Sequence, residues 1–162
     1  MAKKFLAVAA VLGAAWVFFG VWNSDARRIG RQLSILQKLA AKTALENDLE
    51  GANRARRITD LFALEFELRA EPENYATSSR QDLVRAVMLY RRRSRNLLVQ
   101  VSREELFVER DGRSATHYAL VEFVNDLGDF AGTESYPLRI EWVMEDGDWR
   151  IRRLELLNEP AR

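Results

Sequence analysis

The chain has 162 residues, 48% of them hydrophobic and 30% charged, with 25 Lys+Arg against 24 Asp+Glu and a formal net charge of +1. That length suffices for one domain with its own core plus an appendage, and the balanced charge leaves no global field to draw in nucleic acid or another polyanion. Cysteine is absent and histidine occurs once, which excludes a disulfide framework, a thiolate metal site and a cysteine nucleophile.

The chain opens with Lys3 and Lys4, followed by the apolar run Phe5 to Trp22, FLAVAAVLGAAWVFFGVW. This is close to the shortest length that spans a bilayer as a helix, and Trp16 and Trp22 suit its interfacial part. Residues 1–24 are therefore expected to be a membrane anchor or a signal segment, and residues 25–162 the domain. Ser24 and Ala26 offer a small-x-small cleavage site, so a removed leader is the rival. The length of the run, Trp22 just before the polar break and the arginines that follow favour an uncleaved anchor. Arg27, Arg28 and Arg31 nearly balance the positive charge on the two flanks; the short basic tail before a leader-like segment points to export of the domain.

From Asp25 to about Thr43, Ile29, Leu33, Leu36, Ala40 and Thr43 recur at spacings of four and three, which predicts an amphipathic helix. Asn47, Asp48 and Gly51 interrupt it, and a second helix is expected to run on through Ile58, Leu61, Phe62 and Phe66. EPENYATSS reads as a loop, after which Ser79 and Asp82 resemble a capping box for a third helix starting at Arg80.

At Leu97 the period changes from helical to alternating. Leu97, Val99 and Val101 share a face, Leu106 and Val108 follow, RDGR turns, and SATHYALVEFVND is a long strand. GDFAG separates it from SYPLRIEWVM, and EDGD turns into WRIRRLELL. In that last segment Trp149 and Ile151 differ in parity from Leu154 and Leu156, so a bulge is expected near Arg152 and Arg153. Helices first and then a meander of strands predicts an α+β domain with helices against one face of an antiparallel sheet.

The ordered set QLSILQKLAAKTALENDLEGANRARRITDLFALEFEL, SRQDLVRAVMLYRRRSRN, LLVQVSREELFVERDGRSATHYALVEF and LRIEWVMEDGDWRIRRLEL resembles the NTF2-like (SnoaL-like, cystatin-like cone) superfamily, in particular its small envelope-targeted bacterial members. The resemblance covers nearly everything after residue 24. It implies three N-terminal helices packed in the concave face of a strongly curved antiparallel sheet, with a central cavity. Together with the N-terminal apolar run and its basic tail, it leads to the expectation of a single-pass bacterial inner-membrane protein with its domain in the periplasm. Because the same cone serves enzymes, carriers and scaffolds, function has to come from residues.

LYRRRSRN concentrates Arg91, Arg92, Arg93 and Arg95. At 100° per residue Arg91 lies near the stripe of Leu83, Val84 and Val87 while the others fan around the helix. They form no phosphate-tracking row; solvation of a helix C-terminus by cations explains them better. His117 shares parity with Ala115, Ala119, Val121 and Phe123 and is aimed at the inner face. There it could contact a ligand, with Trp142 and Trp149 among the cavity walls, or be a satisfied core histidine. Without a second histidine or a carboxylate cluster no metal site is expected, no cofactor is called for, and no catalytic residue is assigned. The opposite face carries Tyr118, Leu120 and Val124, joined by Val143, and is expected to meet a protein partner or a second copy of the chain. The leading expectation is a non-catalytic, membrane-anchored interaction or assembly module; the alternative is a small-molecule binder or an isomerase- or hydrolase-type enzyme using the cavity near His117.

Overall fold

The computed structural model describes residues 25–126 and 131–158. The apolar run Phe5 to Trp22 lies outside the described residues, and among the described residues no helix is long and apolar enough to cross a membrane.

Helix α1 covers residues 25–40. Its spacing of apolar residues buries Ile29, Leu33 and Leu39, whereas Thr43, expected on the same stripe, is exposed beyond the helix end. The chain then makes a β-bridge from Lys42 to Leu97 and re-enters a helix sooner than the polar segment suggests. Helix α2 runs Asp48–Thr59, capped by Asn47, whose side chain accepts from the Glu50 N–H while the Glu50 carboxylate accepts from the Asn47 N–H. This reciprocal box satisfies two of the orphan donors of the first turn. Gly51 sits inside that helix, where a Cβ would come within 3.2 Å of Glu46 Oε1.

The expected continuation of α2 through Phe62 and Phe66 is overturned: strand β1 begins there and runs Phe62–Ala70. Residues at i and i+4 fit a helix, but pairing alongside the last strand decides otherwise. Ile151 donates to the Leu61 carbonyl at 2.9 Å, and Phe62 lies opposite Ile151 in a parallel ladder that is irregular before Glu67. Within the expected loop a short strand, β2, Tyr75–Thr77, pairs with β1. Helix α3 starts where its sequence predicts, spanning Arg80–Arg93, and Ser79 accepts from the Asp82 N–H.

The remaining strands are β3, Asn96–Val108, β4, Ser114–Asp126, β5, Ala131–Glu145, and β6, Asp148–Leu156. They complete a six-stranded sheet in the order β2-β1-β6-β5-β4-β3. The β5–β6 hairpin turns at Asp146 and Gly147, both at positive φ, the combination that matches the twist of the flanking strands. The expected bulge is present: Glu141 faces Arg153 and Trp142 faces Ile151, leaving Arg152 as the extra residue. Trp149, Ile151 and Leu154 are consequently all buried. A second bulge lies in β3 between Ser102 and Glu105, with Arg103 at φ 52°, and it explains why Val101 and Leu106 pack on the same core despite opposite parity. The curled sheet wraps the three helices.

Arg91 is the joint between layers. Only 3% exposed, it donates from Nη1 to the carbonyls of Leu39 and Ala40, both at 2.9 Å, and from Nη2 to that of Ala41 at 3.0 Å. Nε donates to Glu46 at 3.0 Å, and Nη2 also donates to the Glu46 carboxylate. All five guanidinium donors are engaged, so the C-terminus of α1 is capped by a side chain from α3. Lys42 returns the favour by donating to the carbonyls of Arg91 and Ser94 at 2.6 and 2.7 Å. The arginine-rich stretch is thus internal glue at one position, while Arg92 is exposed and loosely paired with Asp48 at 3.7 Å.

Removing one partner of a buried pair strands the other charge. Arg91→Met is expected to lower the unfolding free energy by about 3–5 kcal/mol in urea titrations, whereas Arg92→Ala should stay within about 0.5 kcal/mol. Pairing Arg91→Met with Glu46→Leu should recover part of the loss; no recovery would mean that the capped carbonyls, not the carboxylate, set the cost.

Candidate functional site

The cone has a filled end and an open end. At the filled end Trp142 and Trp149 are each 1% exposed, and Trp149 Nε1 donates to Asp25 Oδ1 at 3.2 Å, tying the hairpin to the start of α1. At the other end, between the C-terminal half of α1, α3 and the concave sheet, lies a cavity of about 650 Å³. Its apolar walls come from Leu33 and Leu36 of α1, Leu83 and Val87 of α3, and Val101, Val121 and Leu138 of the sheet. This volume is that of a site for a drug-sized molecule.

Polar side chains join this lining, among them the buried Arg91, which is engaged by Glu46 and the end of α1. Tyr90 follows Leu83 and Val87 at helical spacing on α3, and Tyr136 alternates with Glu134 and Leu138 on β5, so both phenols join the cavity lining together with Phe123. Tyr90 meets Phe123 edge to face at 6.4 Å, and Phe123 meets Tyr136 in a tilted pair at 6.2 Å between centroids. Tyr136 donates to Glu134 Oε2 at 3.2 Å, and Asn125 Nδ2 donates to the Tyr90 hydroxyl at 3.4 Å. Burial, and then the negative charges of Glu134 and Glu73, push both phenols above the ordinary tyrosine value. They remain neutral hydrogen-bonding groups at physiological pH. Tyr75, also on the rim, donates to the Asp82 carbonyl at 3.2 Å.

The residues expected to form the ligand wall lie elsewhere. His117, Trp142 and Trp149 do face inward, but they pack the filled end and none of the three lines the cavity. The register explains this: Ala115 faces Trp142 and His117 faces Ile140, whereas cavity lining on β4 begins at Val121. His117 is 2% exposed. The β3 bulge brings Glu104 Oε2 to 3.2 Å from its Nε2, an ion-pair distance at which the oxygen lies off the N–H axis. Neither ring nitrogen has a hydrogen-bond partner among the described residues, and the same holds for Trp142 Nε1. Burial pushes the imidazole below 6.5, outweighing the opposing pull of the Glu104 carboxylate. Parity found the face of the sheet but not the depth along it; the signal for the true rim was the alternation Glu134–Tyr136–Leu138 and the stripe Leu83–Val87–Tyr90.

On the outer face, Tyr118, Leu120, Val124 and Val143 share one side as expected from alternation. Tyr118 and Val124 are exposed, at 44% and 39%, while Leu120 and Val143 are half-buried. The neighbouring strand β3 adds exposed Leu98 and Phe107, with Phe107 edge-on to Tyr118 at 6.2 Å. Over β5, β6 and β1 the outer face instead carries a charge network in which Glu141 meets Arg139, Arg152 and Arg153, and Glu67 meets Arg153.

No protein-family model matches the sequence, and no curated protein matches it. Solved structures do. An NTF2-like protein with a cystatin-like fold from Novosphingobium aromaticivorans superposes with a TM-score of 0.69 at 17% identity, covering 93% of this chain and 90% of that one. A candidate scytalone dehydratase from the same species gives 0.69 at 16% identity, over 88% and 93% of the two chains. ActVI-ORFA from Streptomyces coelicolor gives 0.56 at 19% identity, over 85% and 96%. The fold is the NTF2-like, cystatin-like cone.

Because the folded-state value of His117 lies below 6.5, the unfolded chain binds the proton first as pH falls. Its contribution to stability is complete above 6.5 and declines as pH drops from there toward the folded value, by at most about 1.4 kcal/mol per pH unit. His117→Phe should therefore shrink the difference in urea midpoint between pH 7.5 and pH 5.5. An unchanged difference would assign the acid sensitivity to other groups.

Proposed function

We propose that this NTF2-like cone binds a small, largely apolar molecule in its interior and holds it rather than transforming it. The observation that carries the reading is the cavity of about 650 Å³, walled mainly by apolar side chains. A void of that size loses dispersion contacts on every wall unless something fills it. Binding is favoured over catalysis because the one imidazole of the chain is packed at the other end of the cone. Several structural neighbours bear enzyme names, among them the candidate scytalone dehydratase. In this reading the apolar run Phe5 to Trp22 anchors the chain in a bacterial inner membrane with the domain on the periplasmic side. The support is the length of that run and the basic pair before it.

A second reading rests on the outer face. Exposed Leu98, Phe107, Tyr118 and Val124 fall on β3 and β4, beside a half of the sheet that is laced with charge. Apolar residues with aromatic anchors and a charged surround suit a protein interface, so an interaction or assembly role would use this patch while the cavity holds its ligand.

Ala86 borders the cavity from α3, and Ala86→Trp should fill it while leaving the circular dichroism spectrum unchanged. Native mass spectrometry of the full chain, extracted gently from its membrane, should show a small-molecule adduct that the variant loses; an adduct of equal intensity in both would place the ligand elsewhere. Tyr118→Glu should leave the adduct intact and dissociate any co-purifying subunit. Assembly that survives this change would count against the outer patch.

A further inference from the structure

The rim of the cavity has a chemistry of its own. Tyr90, Phe123 and Tyr136 stand at steep angles to one another, 67° for the first pair and 54° for the second, so together they form a concave aromatic wall. Glu134 extends from the same concave side of β5 and holds the Tyr136 hydroxyl. Glu73 borders the cavity from the turn after β1. Among the described residues neither Glu73 nor Glu134 has an ion-pair partner. Their charge is felt at both phenols, whose ionisation it opposes.

Aromatic faces attract cations through their quadrupoles, most strongly where water is excluded, and a nearby carboxylate adds a direct charge. An aliphatic tail would be accepted by Leu33, Leu83, Val101 and Leu138 farther in. On the cavity-binding reading above, we propose that the ligand is an amphiphilic cation, an alkyl ammonium or amine whose head sits among Tyr90, Phe123, Tyr136 and Glu134 while its tail fills the cone. Arg91 on the cavity lining is engaged by Glu46 and the carbonyls at the end of α1, and two further arginines, Arg85 and Arg93, also border the cavity. Both are exposed, and Arg85 is paired with Asp82 at 3.4 Å. An anionic ligand using Arg93 is the competing outcome.

The test compares three probes with one tail, octyltrimethylammonium, octanol and octanoate, titrated calorimetrically into the full chain below their micellar concentrations. The ammonium should bind about tenfold more tightly than either of the others. Tyr136→Leu and Glu134→Gln should each weaken it several-fold and leave octanol unaffected. Octanol or octanoate binding as tightly as the ammonium, with Ala86→Trp still abolishing binding, would overturn the cationic head and keep the cavity reading. If none of the probes binds, or Ala86→Trp leaves binding unchanged, the cavity reading falls together with this one.

Discussion

The fold turns on a buried guanidinium. Helix α1, like any helix, leaves its last carbonyls without partners, and in a cone those carbonyls point into protein. Arg91 closes three of them and a carboxylate at once, and Lys42 closes the end of α3 in the same stroke. The two helix ends therefore fix each other. Bridging of Lys42 with Leu97, 2.8 and 3.0 Å in the two directions, then fastens the pair to β3. Arg80 repeats the device beside α2, donating to the carbonyls of Thr59, Phe62 and Ala63, so a basic side chain closes the end of each of the three helices.

These clamps have a consequence for the interior. They join the ends of α1 and α3 by hydrogen bonds, and the sheet curls around both. At the filled end Trp142, Trp149 and Ile29 are almost wholly buried. The cavity is lined instead by aliphatic side chains such as Leu33, Leu83, Val101 and Leu138, together with Tyr90, Phe123 and Tyr136.

The surface is divided in a parallel way. Bulges in β3 and β6 re-aim the residues beyond them. In β6 the extra Arg152 lies over Glu141 and extends the charge network, while in β3 the re-aimed Glu104 reaches His117. Strand β4, regular throughout its pairing with β5, keeps strict alternation. It therefore presents His117 to one side and Tyr118 to the other, and a single strand supplies both the packed end of the core and the outer apolar patch.

By itself the sequence determined the class and much of the order: amphipathic spacing in 25–40, the start of α3 at Arg80, the strands from Asn96 onward, and even the bulge at Arg152, since these are local periodicities that a chain cannot hide. Local pattern also separated the inner from the outer face of β4. Phe62 and Phe66 misled because their spacing of four fits a helix, and only the distant partner Ile151 selects a strand. Depth along the cone was likewise out of reach. His117 and Val121 have the same parity, yet one is sealed beside Glu104 and the other lines the cavity, because register with β5 and curvature of the sheet decide which level a residue occupies. The role of Arg91 was undecided for the same reason: periodicity placed it by the apolar stripe, but the carbonyls it caps lie some fifty residues away in sequence, and only the packed layers bring them together.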